Sequence, residues 1–190
     1  MARSNSGGRA GGRRPADPRT APAPSPASPA PSLAAATLPR VWEGVGYRPL
    51  PDPDAARRLF DFAAAPWPET SAPAFCWGAH VAGAGGERLV GAIVAESADR
   101  AVMLDGPVVA IDTEDALEVA AQLVTAAIDH ATALGAEMVF ARPQGLDRIW
   151  IRYGFLPVPE GALPQALAGR ERVGLYAWRG GTALWTFREG

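Results

Sequence analysis

The feature that most constrains this chain is one helix-length amphipathic stretch that runs directly into a short apolar segment. From about Thr113 to Leu134, Leu117, Ala120, Val124, Ala127, Ile128 and Ala131 recur at the i, i+3, i+4, i+7 spacing that puts one apolar stripe on a helix. Gly135 follows as a helix terminator, and AEMVFARP then reads as a buried strand ending at Pro143. A helix between two apolar strands makes a crossover, which joins parallel neighbours in one sheet.

Upstream, AFCWGAHVAG, ERLVGAIVAE and AVMLDGPVVA are three strand-like runs separated by short turn signals, an antiparallel meander. Before them, VWEGVGYRPL alternates as one strand, and Asp52-Pro53-Asp54 opens a helix over AARRLFDFAAA that ends by Pro66 and Pro68. Leu59, Phe60 and Phe62 are its expected core residues. Downstream, GLDRIWIRYG reads as a short helix. FLPVP, VGLYAWR and TALWTF close the sheet, with Gly180-Gly181 as a hairpin turn. The expectation is an α/β (α+β) domain over residues 40–190, with a mixed sheet of about seven strands flanked by helices.

Residues 1–39 differ in kind. They pass from an Arg/Gly stretch to TAPAPSPASPAPS, a composition that buries too little apolar surface to offset the entropy of ordering, and they are read as a disordered tail. Residues 1–40 hold six arginines against the single acid Asp17, which leaves 12 arginines and 19 acids in the rest of the chain. So acidic a body argues against nucleic acid as the main partner. A single cysteine, Cys76, excludes an internal disulfide and fits a reducing cytoplasm, while two histidines without paired spacing give no metal-ligand pattern. No run approaches the roughly 20 apolar residues that cross a bilayer, so no membrane partner is expected. Cys76 and His130, set among apolar neighbours, read as packed residues.

The element order resembles that of the GNAT-type N-acetyltransferase superfamily. Three segments carry the likeness: ERLVGAIVAE, TAAIDHATALGAEMVFARP, and IWIRYGF, which is similar to the family's Y-x-K-x-G-F ending. Together they cover about residues 42–160, and GALPQALAGRERV beyond them looks like an insertion. The resemblance implies an acyl-CoA-dependent N-acyltransferase, using acetyl-CoA or another acyl-CoA on a small-molecule or protein amine. The family's pyrophosphate motif, R/Q-x-x-G-x-G/A at the start of the long helix, maps onto Asp115, Ala116, Leu117, Glu118, Val119 and Ala120. Only Ala120 fits it. Asp112, Glu114, Asp115 and Glu118 put four acids where the family binds phosphate, and these would repel it. Val108, Val109, Ala116, Val119 and Ala120 are the positions implied to touch the cofactor, with the strand amides of residues 105–109 holding the thioester.

Where the family often has a tyrosine acid, this chain has Trp150, which has no titratable proton to give. Tyr153, three residues on, is the remaining candidate acid, and Glu96 and Asp105 are candidate bases. Asp105 interrupts an apolar run, so it faces solvent, marks a bulge with Gly106, or lines a cleft. The departures at Asp115, Glu118 and Trp150 open a second reading: a catalytically inactive GNAT-like domain that serves as a binding or assembly partner.

Overall fold

The computed structural model describes residues 31–68, 73–110, 115–143, 145–169 and 174–179. Among these residues the centre is one eight-stranded sheet in the order β1-β2-β3-β4-β5-β6-β8-β7. The meander appears where the alternation placed it, as β3 (Phe75–Gly83), β4 (Gly86–Ala98) and β5 (Ala101–Val109). Helix α3 (Ala116–Ala133) then crosses over to β6 (Met138–Ala141), which pairs parallel with β5 through Ala101↔Met138 to Leu104↔Ala141. Every other pairing among the described residues is antiparallel.

Two strands stand where one was expected. β1 (Arg40–Trp42) and β2 (Val45–Pro49) form a hairpin, because Glu43 and Gly44 take positive φ values of 45° and 79°, the geometry of a two-residue turn matched to strand twist. A helical turn, α1 (Leu33–Ala36), capped by Ser32 and with Ala36 buried, lies inside the stretch expected as tail. The earlier residues of that tail, the Gly180-Gly181 turn and the TALWTF strand lie outside the described residues.

One sheet face packs on α3. Val119, Leu123 and Val124 are buried there, with Ala120, Ala126, Ala127 and Ala131 letting the helix approach closely. Each buried Val or Leu contributes about 1.5–3 kcal/mol. Leu117 shares the phase of this stripe but is 60% exposed, since it lies in the first turn, beyond the elements that cover the rest. Helix α4 (Asp147–Arg152) packs on the same core. Its Trp150 meets Phe155 edge to face, with ring centroids 4.8 Å apart, just after the chain turns at Gly154.

The opposite face carries two smaller clusters. Helix α2 (Arg57–Phe62), entered through a 3₁₀ turn at Pro53–Ala56, brings Phe60 onto Cys76, Ala92, Val94 and Val108. Phe62, expected in that core, is 78% exposed, because two residues along a helix lie on nearly opposite sides. The segment that looked like an insertion forms 3₁₀ turns at Glu160–Ala162 and Gln165–Leu167. It lays Leu163 and Leu167 on Met103 and Phe140, and its neighbours β7 (Leu156–Pro157) and β8 (Tyr176–Arg179) complete the sheet.

Candidate functional site

The parallel pair β5 and β6 holds together only as far as Leu104 and Ala141. Beyond that level the strands part. β5 continues beside β4 alone, with Asp105 opposite Val94 and Val108 opposite Ala92, so three steps on β5 match two on β4. The extra residue falls at Gly106-Pro107, a bulge that bends the strand away from its former partner. Gly106 has φ +93°, and a Cβ there would meet Ala92 O and Val108 N at 3.1 Å each, so the bend requires glycine.

A cavity of about 160 Å³ occupies the opening. Ala63, Ala65 and Pro66, after α2, form one wall, residues 105–109 of β5 form the floor, and Arg142, Leu146 and Trp150 form the far side. Among the described residues, the β5 edge facing this space pairs with no strand beyond Leu104.

Both candidate bases are buried, Asp105 at 4% exposure and Glu96 at 3%. Glu96 lies opposite Met103 and Asp105 opposite Val94, so alternation puts them diagonally on the face away from α3, at the seam between its two apolar clusters. Only Asp105 lines the cavity. Of the three placements open to it from sequence, it lines a cleft and immediately precedes the bulge.

Arg142 was not among the residues expected at the site. It follows the last residue of β6, is 8% exposed, and donates through Nη2 to Oε1 of Glu160. An arginine closing an apolar strand was the available signal, in FARP. Tyr153 is half-buried at the end of α4, under the Arg152 guanidinium, and does not line the cavity. Trp150 does.

Of the positions implied to touch the cofactor, Val108 and Val109 line the cavity. Ala116 is half-buried in the first turn of α3, and Val119 and Ala120 are packed in the core. Asp115 precedes the helix without a side-chain cap hydrogen bond. Glu118 accepts from Gln122 Nε2 at 3.0 Å and lies 3.6 Å from Arg152 Nη1. Asp112 and Glu114 lie outside the described residues.

Cys76 is buried, and desolvation pushes its thiol up to about 12, so it is no nucleophile. His130 packs in the core against Phe75 and Trp77. Among the described residues, no helix is long and apolar enough to cross a membrane.

By sequence, no family model and no curated protein matches the chain. By structure, it is similar to several acetyltransferases. N-acetylglutamate synthase from Neisseria gonorrhoeae, complexed with coenzyme A and N-acetyl-glutamate, matches 71% of this chain at 16% identity and a TM-score of 0.55. The match spans only 35% of that synthase. Arabidopsis thaliana NAA60 in complex with acetyl-CoA gives a TM-score of 0.52 at 14% identity, covering 73% of this chain and 99% of that one. The ribosomal-protein-S18-alanine N-acetyltransferase from Escherichia coli gives 0.51 at 14% identity, covering 73% and 96%. The fold is thus that of the GNAT-type N-acetyltransferases.

Proposed function

We propose that this chain is an acyl-CoA-dependent N-acyltransferase whose reaction takes place in the opening between β5 and β6. The observation that carries this reading is the parting of those strands after Leu104 and Ala141, with a buried carboxylate, Asp105, at the mouth. The thioester end of an acyl-CoA would lie along β5 beyond Leu104, where main-chain N–H groups can polarise its carbonyl. Among the described residues, the diphosphate end meets two acids, Asp115 and Glu118, at the start of α3. Affinity for the donor therefore rests on the acyl and pantetheine portion.

The acceptor amine enters as an ammonium against the wall after α2. Asp105 takes one proton from it, freeing the nitrogen lone pair. The nitrogen then bonds to the thioester carbonyl carbon, the carbon–sulfur bond breaks, and the departing sulfur takes the second proton from nitrogen. Trp150 contributes no acid, so the rate comes from holding amine and thioester together and from the single base. Calorimetry or thermal shift with acetyl-CoA and longer acyl-CoAs tests the reading. Binding that strengthens with acyl length supports it, and no binding at millimolar ligand sinks it.

The acids at the start of α3 favour the second reading, a non-catalytic GNAT-like domain that binds a partner. It gains if acyl-CoA fails to bind.

A further inference from the structure

The floor of the cavity is a strand and its far side borders β6 and α4, but the wall after α2 is made of Ala63, Ala65 and Pro66, residues with little side chain to hold them in place. The wall begins where α2 ends. Ala65 N donates to Phe60 O at 2.9 Å and Ala64 N to Asp61 O at 3.1 Å, the paired bonds that turn a chain out of a helix. Glycine is the usual residue at the left-handed position of such a turn. Here it is Ala64, at φ 50°, a conformation that persists only where the surrounding contacts impose it.

Trp67 supplies such contacts. Its ring meets Phe60 edge to face, with centroids 5.1 Å apart and planes at 82°, and the Arg57 guanidinium lies 4.5 Å from its centroid. Arg57 donates in turn to Asp54 Oδ1, from Nε at 3.3 Å and from Nη2 at 3.1 Å. Phe60 also reaches the floor, since a Cβ on Gly106 would lie 3.3 Å from its Cζ. One buried ring thus touches both the bulge under the cavity and the tryptophan that follows the wall. Trp67 is half-buried and does not itself line the cavity. Segment 63–66 is tied to Phe60 at both ends, by the main-chain bond from Ala65 and by the Trp67 ring.

We propose that Trp67 is a positioning residue for the acceptor. It latches segment 63–66 over β5, and so sets how far an amine resting on that wall lies from the thioester. This rests on the transferase reading for its effect on rate, though not for the latch itself. In that reading the rate comes from holding amine and thioester together, and a displacement of about 1 Å can cost about a hundredfold. Alanine and proline have no long side chain to fix that distance, so it is fixed from outside the cavity, through Phe60 and Trp67.

The test has two arms, both on the full chain. Without ligand, hydrogen exchange of the Ala64 and Ala65 amides reports opening of the latch, since both are hydrogen-bonded at the wall. Trp67→Ala should speed both by about tenfold or more, and Arg57→Gln, which takes the cation off the ring, by about two- to fivefold, while the β3–β4 amides keep their protection. Trp67→Phe keeps a ring in place and should stay close to wild type. Unchanged exchange at Ala64 and Ala65 in Trp67→Ala overturns the proposal, and so does an increase shared equally by the β3–β4 amides, which would mean a general loss of stability. If Trp67→Ala does not fold, Arg57→Gln decides by the same criteria. In the second arm, transfer from acetyl-CoA is followed with ethylamine, benzylamine and a peptide with a free alanine amino terminus. For any amine that is acetylated, Trp67→Ala should lower kcat/KM for the amine by about ten- to a hundredfold and leave KM for acetyl-CoA within about twofold, with Trp67→Phe restoring most of the loss. Unchanged kcat/KM, or an equal rise in KM for acetyl-CoA, overturns the positioning role. Faster exchange at the wall with no acetylation by the wild-type chain would count against the transferase reading and leave the latch intact.

Discussion

Trp77 Nε1 donates to Nδ1 of His130 over 3.1 Å, joining β3 to α3 through the core. The imidazole also stacks on Phe75, with centroids 4.2 Å apart, and burial lowers its pKa from the ordinary 6.5. The hydrogen bond needs Nδ1 unprotonated, so folding favours neutral His130. The unfolded chain binds this proton at a higher pH than the folded one. Its contribution to stability is therefore present above about pH 6.5 and is lost as pH falls through the folded value. His80 is lowered in the same direction, chiefly by burial. The thermal midpoint, followed from pH 8 to 5, should drop on the acid side. His130→Gln should make that fall shallower while costing about 0.5–1.5 kcal/mol at pH 8 for the lost bond.

Helix α2 offers a paired test of which aromatic ring holds it to the sheet. Phe60 is fully buried against Cys76, Ala92, Val94 and Val108, so Phe60→Ala should cost about 3–5 kcal/mol in chemical denaturation. Phe62→Ala should change stability by no more than about 0.5 kcal/mol, since that ring is exposed. Equal losses would mean that the helix is rotated.

This pair also shows how far the sequence could be read. Periodicity and turn residues were enough for β3, β4 and β5, for α3 with its stop at Gly135, and for β6, because each is a long or strongly patterned run between clear breaks. Six residues of α2 hold too little periodicity to tell Phe60 from Phe62. The β1–β2 hairpin was hidden by its turn, since Glu43-Gly44 is not one of the pairs that usually announce positive φ at both positions. Leu163 and Leu167 reach the sheet from 3₁₀ turns, which leave no repeat to find. At the site, Asp105 was visible as a charge inside an apolar run. Arg142 showed only as an arginine closing an apolar run, because its place at the site comes from the parting of β5 and β6, a relation between strands more than thirty positions apart in sequence.

Gly106 should be intolerant of any side chain. Gly106→Ala forces a residue into φ +93° and against main-chain atoms of Ala92 and Val108, a loss of about 1–3 kcal/mol. Gly161→Ala is the control, as open space surrounds it, and should stay within about 0.5 kcal/mol. Denaturant midpoints of the two variants check this. If Gly106→Ala is as stable as the control, the bulge is more compliant than its contacts indicate.

The acids at the start of α3 should weaken acyl-CoA binding and not abolish it. A charge near a helix N-terminus is worth about 0.3–1 kcal/mol. Asp115→Asn and Glu118→Gln should therefore each tighten binding by roughly two- to fivefold, measured by calorimetry at low salt. Unchanged affinity in the double variant would place the diphosphate away from this helix.

Asp105 and Glu96 share the seam between the two clusters, and substitution separates their roles. Asp105→Asn removes the carboxylate that lines the cavity while nearly preserving its shape, and should lower kcat/KM for amine acylation by roughly 10²–10⁴-fold, the usual worth of a general base. Raising the pH deprotonates more of the amine in solution, so the deficit of this variant should shrink as pH rises. Glu96→Gln leaves the cavity lining intact and should change kcat/KM by less than about tenfold, with an effect that does not vary with pH. Should Glu96→Gln show the larger and pH-dependent loss, the base is Glu96, and the proton leaves the cavity through the seam instead of through Asp105.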